Sequence, residues 1–202
     1  IRDLVRSRGL GDVYKRQFNM TAALVIVCTL SALILAYVHR KTEAPIKAVK
    51  DNLELRAIAE IVPEGFDNNP FAERTHIATS DNKRLTMYPV RRDGKIVALA
   101  IKSYTNRGFG GKMEIMVGFT LDGSISGYKL IDHKETPGLG TKVADEAFAG
   151  QFKGLNPDKI DFRVKKDGGD IDAVTAATIS SRAVIDAIQR AYDAYTTFSA
   201  GI

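Results

Sequence analysis

At 202 residues, with 45% hydrophobic and 26% charged side chains, the chain has room for a membrane segment and one domain with its own core. Its net charge of +5 lies wholly in residues 1–41, where seven Lys/Arg face two acids. The 22 basic and 22 acidic residues beyond cancel, and with no base-reading motif present this argues against nucleic acid as a partner. A single cysteine, Cys28, excludes an internal disulfide, a CxxC metal site and CxxCH haem attachment, so any electron traffic would need an organic cofactor.

Residues 1–17 show no clean helical or strand period and are read as non-native, adapter-like sequence, with a basic cytoplasmic tail as the alternative. Phe18 to Val38 carries no charge over 21 residues, enough for a helix of ~30 Å across a bilayer. No small-residue cleavage site follows, which favours an uncleaved transmembrane helix over a signal peptide. Basic residues flank both ends and leave its orientation open.

Ala44 to Val62 has the spacing of an amphipathic helix, with Ile46, Val49, Leu53, Ile58, Ile61 and Val62 mostly on one side, stopped by Pro63 and Gly65. Residues 66–82 read as loop. "RLTMYPVRR" and "KIVALAIKSY" are strand-like runs separated by Asp93-Gly94, and "MEIMVGFT" and "SISGYKLIDH" are separated by Asp122-Gly123, so two antiparallel hairpins are expected. Thr141 to Phe152 is expected to be helical, "DFRV" a short strand, and "KKDGGD" a turn. A last helix runs from about Ile179 to Tyr195, with Val184, Ile188, Ala191, Tyr192 and Tyr195 on one face. The pattern is that of an α+β protein: an N-terminal membrane helix at 18–38, then one domain, 43–202, with an antiparallel sheet and flanking helices.

Two glycine-rich runs, "GFGGKM" and "GLGTK", fit neither the phosphate-loop nor the dinucleotide-binding spacing. Asp132, His133 and Ser180 lack the G-x-S-x-G elbow of a hydrolase. The run "IDAVTAATISSRAV" (171–184) is more informative. Thr175, Thr178, Ser180 and Ser181 cluster where a helix begins. One hydroxyl would suffice for an N-cap. The small Ala176 and Ala177 also leave the backbone open to a bulky group, and a helix N-terminus suits a phosphate. On the residues alone, cap and phosphate site both stand.

"DAVTAAT" resembles the flavinylation motif D-x-x-[S/T]-G-A-T. "HKETPGLGTKV" resembles a second hallmark of the same family, and "RGFGG" with "MEIMVGFT" resembles its G-Y-G-G-plus-strand pattern, with Phe109 for Tyr. The chain resembles the FMN-binding G subunit of the Rnf ion-translocating electron-transport complex, whose sister is the C subunit of the sodium-translocating NADH:quinone reductase. The resemblance covers nearly everything after residue 18.

It implies FMN held covalently by a phosphoester to Thr178, attached by a flavin transferase that uses FAD and magnesium and releases AMP. Asp172 would orient the hydroxyl, while Thr175, Ser180, Ser181 and the amides from Ala177 would meet the phosphate. Glu135, Thr136, Pro137, Gly138, Leu139 and Gly140 would lie along the isoalloxazine ring, and Lys142 would either neutralise phosphate charge or be solvated. Ala176 replaces the motif's glycine, from which a right-handed or extended backbone is expected. The resemblance further implies an electron-carrier subunit rather than a complete enzyme. It would be single-pass in the bacterial inner membrane, with its domain on the extracytoplasmic side, and would partner other membrane subunits of the complex. No metal site is expected. The rival readings are a stand-alone FMN-domain protein of another electron route and a non-redox anchored binding module.

Overall fold

The computed structural model describes residues 10–62, 65–79 and 84–199. The chain divides into two compact units, residues 1–50 and 51–202. The expectation for residues 1–17 falls outside the described residues up to residue 9; from Leu10 onward the chain is helical.

One helix, α1 (Leu10–Ile61), runs for 52 residues with Pro45 inside it. Two helices separated near residue 43 were expected, and the chain instead continues through the proline. A proline removes a single backbone donor, and the long runs of helix-forming residues on both sides outweigh that local loss. In the first unit the helix holds an 18-residue window of mean hydropathy 2.4, none of it buried, so it is long and apolar enough to cross a membrane.

In the second unit, five strands form one antiparallel meander in the order β1 (Thr75–Ala78), β2 (Arg84–Arg92), β3 (Lys95–Gly108), β4 (Gly111–Thr120) and β5 (Ile125–Asp132). Both expected hairpins are present, and a third between β3 and β4 joins them. Asp93 and Gly94 have φ of 51° and 72°, the double positive φ of a type I′ turn. The second turn differs from the first: only Gly123 is left-handed, at 81°, and the Thr120 amide donates to Ser124 O at 2.9 Å across a longer loop. β1 lies in a region expected to be loop. Its residues are mostly exposed, so its pairing with β2 leaves little trace in hydrophobic pattern.

Each sheet face carries its own core. Leu99, Ile101, Ile115, Val117 and Phe119 face α3 (Thr178–Ser199), against its buried Ala183, Val184, Ala187, Ile188 and Ala191. Tyr88, Val90, Ala98, Ala100 and Met116 face the end of α1. There the buried helix face is Glu54, Ala57, Ile58 and Ile61, whereas Ile46, Val49 and Leu53, expected on the same face, are exposed. Small residues on that side of the sheet let the helix end come close. A Cβ on Gly118 would sit 2.8 Å from Ile61 O.

Thr141 to Phe152 is not one helix. A 3-10 turn (Gly140–Ala144) and the short α2 (Glu146–Ala149) are separated by extended Asp145, and a second 3-10 turn (Gly150–Phe152) follows. In a continuous helix Val143 would point roughly 140° away from Phe148. The break lets Val143, Phe148 and Phe152 all enter the core, and the Tyr128 hydroxyl takes the freed Val143 carbonyl. "DFRV" is likewise not a strand: it makes only an isolated bridge, Val164 to Ile171, with Phe162 and Val164 buried.

Candidate functional site

Thr178 is the first residue of α3. The chain enters through a turn closed by the Ala177 amide on Val174 O at 3.0 Å, with Ala176 at φ 63°. Positive φ at the third position of such a turn is the type II pattern, which favours glycine. The right-handed or extended backbone expected at Ala176 is therefore corrected: the turn dictates a left-handed residue, and alanine accepts the strain of about 1–2 kcal/mol.

Ser181 fixes this turn from beneath. Its buried hydroxyl accepts from the Val174 amide and donates to Ala177 O, both at 3.0 Å. The position before the helix is Ala177, which has no hydroxyl with which to cap. The amides of Thr178, Ile179 and Ser180 belong to the first turn, where no intrahelical acceptor exists.

Glu135 ties the site together. Only 5% exposed, it accepts from the Gly110 amide at 3.1 Å through Oε1 and from the Ser180 hydroxyl at 2.5 Å through Oε2. The carboxylate thus joins the β3–β4 hairpin tip to the start of α3. Glycines make the space: a Cβ on Gly140 would lie 2.3 Å from Glu135 Oε2, and one on Gly108 2.7 Å from Oε1. The tight approach of Gly140 is therefore to Glu135 and Ser180. Gly138 serves the turn, with φ of 76° and open space around it.

Phe109, Glu135, Thr136, Leu139, Gly140, Ala176, Ala177, Thr178, Ile179 and Ser180 line a cleft of ≈ 290 Å³. Phe109, Leu139 and Ile179 are 69%, 47% and 48% exposed, three large apolar side chains left open around one hydroxyl. Of the residues singled out from sequence, Pro137, Gly138, Lys142, Asp172, Thr175 and Ser181 lie outside this lining. The Asp172 carboxylate pairs with Lys165 Nζ at 2.8 Å. The Thr178 hydroxyl instead receives Lys166 Nζ at 3.2 Å. Sequence reasoning passed over Lys166, whose only signal was two adjacent lysines before a Gly-Gly turn. It also left Phe109 and Ile179 out of the site.

The lysine turn, a 3-10 segment at Lys165–Asp167, is anchored to α3 by a two-pronged pair in which Arg182 Nε and Nη2 each donate to Asp167 at 2.7 Å. The guanidinium holds the Asp167 carboxyl below its ordinary range. The donor set suits a flat, apolar ring system ending in a phosphate. It offers an open apolar cleft, helix-start amides and an ammonium at the hydroxyl.

A profile described as the FMN-binding domain matches residues 108–193, a span that encloses every residue of the cleft. The G subunit of the ion-translocating oxidoreductase complex of Cereibacter sphaeroides is 33% identical over 168 residues, covering 80% of this chain and 76% of its own. Its counterpart from Methanosarcina acetivorans is 31% identical over 177 residues, covering 87% and 92%. That of Vibrio cholerae is 29% identical, covering 84% and 86%. The chain belongs to the family of G subunits of ion-translocating oxidoreductase complexes. Its fold is also that of the C subunit of the Na(+)-translocating NADH-quinone reductase from Parabacteroides distasonis, with a TM-score of 0.50 at 20% identity, covering 74% of this chain and 92% of the other.

Proposed function

We propose that this chain is the membrane-anchored FMN-carrying member of an ion-translocating oxidoreductase complex, and that the FMN phosphate is esterified to Thr178. The observation that carries this reading is the Thr178 hydroxyl at the edge of an open apolar cleft, beside helix-start amides and the Lys166 ammonium. Bound FMN supplies one- and two-electron redox chemistry. Phe109, Leu139 and Ile179 offer apolar contact to the ring, and Glu135 fixes the hairpin tip and the helix start that carry Phe109 and Ile179.

Maturation is by a flavin transferase that takes FAD with magnesium. The Thr178 oxygen forms a bond to the FMN-side phosphorus, the pyrophosphate P–O bond breaks, AMP leaves, and the hydroxyl proton passes to solvent or to a base of the transferase. The domain lies on the extracytoplasmic side of the bacterial inner membrane, where free FMN is scarce. A covalent tether makes occupancy independent of that supply. The open cleft suits a carrier that exchanges electrons with other membrane subunits instead of enclosing a substrate. Thr178→Ala made alongside the transferase tests the reading on a denaturing gel under ultraviolet light. The wild-type band should fluoresce and the variant band should not; a dark wild-type band would contradict it.

A further inference from the structure

Among the described residues, the cations around the turn that precedes α3 are paired with carboxylates, with one exception. Lys165 holds Asp172 at 2.8 Å and Arg182 holds Asp167 at 2.7 Å. Lys166 has no described carboxylate within 4 Å, and its hydrogen bond goes to the neutral oxygen of Thr178 at 3.2 Å. Its backbone is not free to wander. The Lys165–Asp167 turn ends in left-handed Gly168, and the Gly169 amide donates to Val164 O at 3.2 Å. The Arg182–Asp167 pair ties the same turn to the helix that begins with Thr178.

From this we infer that Lys166 is a positioning residue for phosphate transfer to Thr178, and that its ammonium pairs with the resulting phosphodiester. The inference rests on the reading of Thr178 as the flavin attachment point. An ammonium donating to the hydroxyl oxygen favours loss of the hydroxyl proton as the oxygen bonds to phosphorus and AMP departs with the electrons of the broken P–O bond. Once the ester has formed, the same ammonium faces a permanent negative charge at hydrogen-bond range, where a charge-assisted pair is stronger than the neutral one it replaces. A phosphate thus supplies the anion that this turn's described residues do not give Lys166.

The test uses the full-length chain in detergent with purified flavin transferase, FAD and magnesium, following intact mass over time. Lys166→Met should lower kcat for modification at least about tenfold, the rate equivalent of one charge-assisted hydrogen bond, with KM for the chain unchanged. Lys166→Arg should restore most of the rate. Lys165→Met, which removes a cation already paired to Asp172, should keep kcat within about threefold. Unmodified Lys166→Met should unfold at the wild-type temperature, since the side chain is exposed. A Lys166→Met chain modified at the wild-type kcat, or impaired in KM alone, overturns the positioning role while leaving Thr178 as the attachment point. Wild-type chain that accepts no flavin overturns both.

Discussion

Ala176 carries a left-handed backbone, φ 63°, two residues before Thr178, where α3 begins. Glycine would hold that conformation without a Cβ penalty. Ala176→Gly should therefore raise the stability of the unmodified protein by about 1 kcal/mol in denaturant unfolding, a gain trimmed by glycine's freer unfolded state. Unchanged or lower stability would show that the strain is relieved elsewhere. Gly140→Ala should act the other way, because its Cβ would lie 2.3 Å from Glu135 Oε2 and 2.9 Å from Ser180 Oγ. A loss of about 1–3 kcal/mol is expected in the same assay. At this scale sequence singled out residues that the fold brings to one cleft, Glu135 and Thr178 among them, but not the contacts between them. Glu135 was readable as a site residue, yet its hold on Gly110 and Ser180 depends on bringing together residues 25 and 45 positions away. The backbone at Ala176 was misread because the side-chain identity was weighed and the closing bond to Val174 could not be.

Among the elements, strands β2 to β5 and helix α3 were legible because period and turn signals agreed, and Val184, Ile188, Ala191, Tyr192 and Tyr195 are all buried as their spacing required. What sequence missed were elements held by pairing or by single tertiary bonds. Exposed β1 is one, and the break at Asp145, where Tyr128 claims the Val143 carbonyl, is another.

A polar network joins α1 to the sheet. The Tyr88 hydroxyl donates to Glu54 Oε2 at 2.6 Å, and Lys102 bridges Glu54 at 2.7 Å and Glu114 at 3.1 Å. Burial opposes charge on both Lys102 and Glu114, but their bonds to oppositely charged partners outweigh it, raising Lys102 and lowering Glu114 from their ordinary values. For Glu114, the stabilisation is present above its unfolded value of about 4.3 and is lost as pH falls through the lowered folded value. For Lys102, it is present below about 10.4 and is lost as pH rises through the raised one. Stability should be flat between these limits and fall on the acid side. Glu114→Gln should cost about 1 kcal/mol at pH 7 and nearly nothing at pH 2. Equal losses at both pH values, read from denaturant midpoints, would mean that the carboxylate's charge is irrelevant.

On the scale of the whole molecule, the family assignment, the fold and the membrane-length helix set the framework, and the linkage at Thr178 is the claim on which the functional reading turns. A chain reduced to residues 43–202 keeps Glu54, Ala57, Ile58 and Ile61 against the sheet. It should remain in solution and accept flavin from the transferase, yet fail to co-purify with membrane subunits or restore the activity of a complex lacking this chain. Restored activity would show that the apolar helix is not what places the domain. The most direct measurement is peptide mass mapping of the full-length chain made with the transferase and stripped of non-covalent ligand by denaturation. A gain of one FMN less one water, located on Thr178, is expected. An unmodified peptide, or the same mass on another residue, would contradict it.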